Sequence, residues 1–82
     1  MTLVKATLLT PKECDELLRH SVRGGNLTVG DALDYREAKL EEVVERQGEA
    51  IATASSPFGV LTTLGFNRYD AVERLATLAL RP

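Results

Sequence analysis

The 82-residue chain has one cysteine, one histidine, no tryptophan and four other aromatics. A single thiol, Cys14, excludes an intrachain disulfide. One His and one Cys, six positions apart, do not make a zinc site, and the acidic residues follow no calcium-loop pattern. No apolar run approaches the length of a membrane span: Lys5 and then Pro11-Lys12-Glu13 break the apolar opening,. Nothing in that opening has the form of a secretory signal, so a cytoplasmic protein is expected. With so few rings, the core must be made of Leu, Val and Ala, which suits packed helices.

Nucleophilic catalysis lacks its parts. Cys14 falls on an apolar stripe with Leu17, Leu18 and Val22 and reads as a small core residue. His20, beside Arg19, reads as a solvated surface histidine. Gly24-Gly25 stops a helix and is no phosphate loop, because the lysine and the strand-to-helix setting are missing. The chain is therefore expected not to be an enzyme and to bind no metal or cofactor.

What is present is one domain, 1–82, with an ordinary apolar share of 44%,. The net charge of −2 gives no general attraction to nucleic acid or anionic membrane,. Charge is unevenly placed: +1 over residues 1–28, −4 over 29–54 and +1 over 55–82.

Local signals predict a mainly α fold of three to four helices, about 11–23, 29–54, 57–64 and 68–80, with a possible short strand at 3–9. Thr10-Pro11-Lys12-Glu13 is a capping box with proline at the first helical position. Thr28-Val29-Gly30-Asp31 is a second. From there Val29, Leu33, Leu40, Val43, Val44, Gln47, Ile51 and Ala54 fall on one helical arc, with Arg36 inside it. The helix this arc predicts spans about 39 Å, longer than the globule, with Gly48 its weak point. Ser55-Ser56-Pro57 reads as the end of that helix and the cap of a short one carrying Val60, Leu61 and Leu64. Asn67 caps the last helix, whose core face is Val72, Leu75, Ala76 and Ala79, with Phe66 stapled onto Ala71.

On the long helix Asp34, Glu37, Glu41, Glu45 and Glu49 form an acidic stripe opposite the apolar arc. A solvated face explains such a row. Its sharper reading is a docking surface for a protein partner with a basic surface, a nucleic-acid-binding protein among the candidates. The overlong helix and the small core predict a homo-oligomer or a partner-dependent fold. The leading expectation is thus a non-enzymatic interaction module, a small regulator or inhibitor. A structural subunit of a larger assembly is a further possibility.

Two stretches resemble known families. Residues 4–45 resemble the ribbon-helix-helix DNA-binding and antitoxin family in the short lead strand, the Cys14-Leu17-Leu18-Val22 spacing, the Gly24-Gly25-Asn26 turn and the Thr28 cap. That resemblance implies a dimeric transcriptional regulator or antitoxin, with Lys5 and Thr7 reading the major groove and the Thr28 region meeting phosphate. Residues 61–75 resemble the helix–Gly-Phe–helix corner of ubiquitin-associated domains at Gly65 and Phe66. A helix stop and a staple explain the same residues, so no ubiquitin binding is carried over.

Overall fold

The computed structural model describes residues 7, 8 and 10–81. It is an α+β fold, which corrects the mainly α expectation. In chain order it contains β1 (Thr7–Leu8), α1 (Pro11–Leu18), a 3-10 turn (Val22–Gly24), α2 (Val29–Tyr35), β2 (Lys39–Arg46), β3 (Glu49–Ser56), β4 (Gly59–Gly65) and α3 (Arg68–Ala79). The strands form one antiparallel sheet in the order β1-β2-β3-β4. It is a three-strand meander with a two-residue strand at one side.

Both capping boxes form as read. Thr10 accepts from the Glu13 amide while Glu13 takes the Thr10 amide, and Thr28 and Asp31 repeat the arrangement. Asn67 accepts from the Asp70 amide and starts α3. The first helix is shorter than expected. It ends at Leu18, and residues 20–29 fold back through Val29 N–H to His20 O (2.9 Å) and Val22 N–H to Leu27 O (2.7 Å).

The expected helix over 29–54 ends at Tyr35. Glu37 sits in the left-handed region at φ 55, where no helix continues,. Two strands follow. Gly48, read as a weak point in a helix, is the turn residue between them, at φ 75,. The apolar positions of this stretch fit a two-residue period as well as a helical arc. Val43, Ala50, Ala52 and Ala54 are fully buried, while Ile51, Thr53 and Ser55 alternate to the other face,. Burial on a shared face outweighs the helix propensity of alanine.

The expected helix over 57–64 is also a strand. Pro57-Phe58 is a hairpin tip, not a helix start. Ser56 Oγ donates to Gly59 O (2.9 Å) and accepts from Phe58 N–H (3.1 Å), satisfying the turn. Leading β4 are Val60, Leu61, Thr62 and Thr63, most of them β-branched,. The possible strand at 3–9 is present as β1 at its described residues, and it pairs with β2 through Thr7↔Glu45 and Leu8↔Val44.

The core lies between one sheet face and the helices. Leu17, Val29, Leu33, Val43, Val72 and Leu75 are its large buried side chains. Alanines on both layers bring α3 close to the sheet. Gly65 marks the tightest approach: a Cβ there would lie 2.4 Å from the Ala71 nitrogen. Arg36, expected within an apolar arc, ends α2 and donates Nε–H to the Ala79 carbonyl (2.8 Å), closing the C-terminal end of α3,.

Candidate protein-binding surface

The expected acidic stripe does not exist, because its residues sit on different elements. Asp34 is exposed on α2, and Glu37 is exposed in the turn after it. Glu41 is the extra residue of a β-bulge between Leu40 and Glu42 and accepts from Ser55 Oγ (2.6 Å),. Glu49 opens β3 and is bound by Arg46, whose Nε–H donates to it at 2.8 Å.

Glu45 is drawn inward. Arg68 at the start of α3 grips it with Nε (2.8 Å), Nη2 (2.7 Å) and its own backbone N–H (2.8 Å). The Nη1 of Arg68 reaches Glu13 Oε2 (2.6 Å). One guanidinium thus ties α1, β2 and α3 together. The Thr10 amide and then Arg68 hold the Glu13 carboxyl down at about 2, and Arg68 holds Glu45 below the usual carboxylate range,. These groups are a structural clamp, saturated by one another.

A second cluster joins the 20–29 loop to α3. His20 Nε2 lies 2.9 Å from Glu73 Oε1, which also accepts from the Arg23 amide (3.3 Å), and the His20 ring sits 5.2 Å from that of Tyr69. Cys14 is half-buried, as part of the α1 stripe. Burial, with Asp15 and Glu13 nearby, raises its thiol pKa, the opposite of what an activated nucleophile needs,. Among the described residues no three His, Cys, Asp or Glu side chains gather at a metal-binding spacing. None of the described helices is long and apolar enough to cross a membrane.

The DNA contacts implied by the ribbon-helix-helix resemblance rest on Lys5, Thr7 and the Thr28 region. Lys5 lies outside the described residues. Thr7 is paired in the protein's own sheet, and the Thr28 hydroxyl is committed to its helix cap.

What the structure leaves open is the outer face of the sheet. Among the described residues no helix covers it. Solvated faces of antiparallel sheets are normally polar. Here the middle row, Glu42, Thr53 and Thr62, obeys that rule. The neighbouring row does not: Val44, Ile51 and Leu64 are register partners across β2, β3 and β4. Leu64 is 61% exposed, Val60 67%, Phe66 73% and Phe58 77%. Sequence reasoning missed this face. It placed Val44, Ile51, Val60 and Leu64 on helices, and only a period-two reading of 39–65 would have grouped them.

Comparison with family models, curated proteins and solved structures found no match to this chain.

Proposed function

We propose that this chain is a non-enzymatic protein-binding module, a small cytoplasmic regulator or inhibitor that docks its partner on the outer sheet face. One observation carries the reading: the apolar row Val44–Ile51–Leu64 runs across the strands and ends in exposed Leu64 beside exposed Phe66. Contiguous exposed apolar surface rimmed by polar residues is where proteins dock. Arg46, Glu49, Glu42 and Thr62 supply such a rim, and side chains on a paired strand are held rigidly enough to present it at little entropic cost. The expected acidic helix does not form, and Glu49, one of its residues, enters this surface as part of the rim. The case for a second copy that rested on an overlong helix disappears with that helix.

The test is a photo-reactive amino acid at Thr53, in the middle of the face, with Asp34 on α2 as the control position. Irradiation of cells making each variant should give a covalent adduct with another protein at Thr53 and not at Asp34. Adding Leu64→Glu should abolish that adduct while leaving the circular dichroism unchanged. Equal adducts at both positions, or none at Thr53, would overturn the proposal.

A further inference from the structure

Strand β4 is a free edge among the described residues. In an antiparallel ladder, alternate residues turn both backbone groups toward the same neighbour. Counting from the pair Ser56↔Gly59 that closes the hairpin, Gly59, Leu61, Thr63 and Gly65 face β3. The N–H and C=O groups of Val60, Thr62 and Leu64 therefore point outward, over about 13 Å of strand. Natural edges are usually guarded by charge, proline or a bulge. The segment GVLTTLG has no charge and no proline, and the sheet's bulge lies on β2. On the opposite side of the sheet β1 pairs with β2 at Glu45 and Val44.

Along this edge, between β4 and α3, runs a groove of about 740 Å³, with smaller hollows of about 330 and 270 Å³ continuing it toward the Phe58 and Gly48 ends. Arg23, Arg74 and Arg81 line it. Its two carboxylates are already engaged. Asp70 accepts from the Phe66 amide (2.9 Å), and Glu73 holds His20 and the Arg23 amide. Arg74 spends only its Nε on Asp70 (3.2 Å), while the Arg23 and Arg81 guanidinium groups meet no carboxylate side chain among the described residues. An unguarded edge and a cationic groove thus lie side by side.

We propose that β4 takes up an extended acidic segment of a partner protein as an added strand. Main-chain bonds form at Val60, Thr62 and Leu64. Side chains of an added strand alternate, so the segment has a pattern. Apolar residues continue the outer row beside Val60 and Leu64, and carboxylates on the other side meet Arg74 and Arg81 as charge-assisted pairs. A second copy of this chain fits less well, because β4-to-β4 pairing sets two α3 helices side by side with their arginines facing and no spare carboxylate between them.

The test titrates the full-length protein, isotope-labelled, with a capped seven-residue peptide in which valine and glutamate alternate. Its control is the same peptide with lysine for glutamate. The glutamate peptide should shift the Val60, Thr62 and Leu64 amides and slow their hydrogen exchange, and the lysine peptide should not. Arg74→Glu with Arg81→Glu should weaken binding at least about tenfold, as expected for two lost charged pairs. Thr62→Pro removes one outward N–H without touching the β3 ladder, and should abolish binding. Equal binding of both peptides, or none at about 1 mM, overturns the proposal. So do shifts centred on Val44 and Ile51, and so does concentration-dependent protection of the edge amides without peptide, which marks a second copy. The inference stands apart from the sheet-face reading, since loss of the Thr53 adduct would leave this titration unchanged.

Discussion

Replacing Gly65 by alanine adds one methyl group at the point where strand and helix backbones come closest. The new Cβ would meet the Ala71 nitrogen at 2.4 Å, its Cα at 2.8 Å and the Asp70 carbonyl carbon at 2.9 Å. All three are backbone atoms, so no side chain can swing away. Restoring an ordinary contact of 3.4 Å requires α3 to retreat by about 1 Å (3.4 against 2.4) at that end. The retreat loosens Ala71, Val72 and Leu75, all fully buried. Overpacking of this kind costs about 3 kcal/mol, the upper part of its usual range. For a domain of this size that lowers the melting midpoint by roughly 12–24 °C. Urea and thermal unfolding followed by far-ultraviolet circular dichroism measure it. Gly48→Ala is the comparison: nothing lies within 4 Å of that Cβ, so only its positive φ is penalised, by about 1 kcal/mol,. If Gly65→Ala melts with the wild type, α3 is not seated on β4 as described.

Glu37→Gly should stabilise the protein by up to about 1 kcal/mol, because a left-handed turn residue gains a Cβ-free backbone; in a continuous helix the same change would cost about as much, so the sign of the midpoint shift is the check. Glu45→Gln should destabilise and Glu41→Gln should not, read from urea midpoints, since Arg68 grips the first and a serine hydroxyl touches the second. Stability should fall with acid. The folded Glu13 carboxyl is depressed to about 2 from 4.5, so its contribution is fully present above pH 4.5 and is lost as pH falls from there toward 2,. In Arg68→Met this acid limb should be shallower, because the Thr10 cap alone remains to hold Glu13. Arg36→Ala should cost about 1 kcal/mol by leaving the Ala79 carbonyl without its donor,.

The legible parts of the fold were those written in neighbouring residues. Thr10 with Glu13, Thr28 with Asp31 and Asn67 with Asp70 each complete their bonds within a single turn, and all three helix starts stand where the sequence puts them. The middle of the chain was misread because Val43, Val44, Ile51 and Ala54 satisfy two periods at once. Its strands are decided by a helix that comes later in the chain. Ala50, Ala52 and Ala54 look like helix formers until α3 arrives to cover them. The hairpin signals were present in Gln47-Gly48 and Pro57-Phe58-Gly59, but each also serves as a helix flaw or a helix start. Non-local groups could not be read at all. Glu13 and Arg68 are 55 positions apart, and the outer apolar row exists only once the strands are in register.

The two-residue β1 sets a limit on growth. A sheet with both sides open can add strands at either end, and copies joined in that way form a fibre of no fixed length. With Thr7 and Leu8 laid against β2 at Glu45 and Val44, the two sides of this sheet are unequal: β4 presents its whole length, and the β2 side is already in use at one end. Two copies paired β4 to β4 would use up both of these edges and close as a pair. Two hydrogen-bonding residues thereby make the sides of the sheet unequal, which favours a closed pair over an open fibre,.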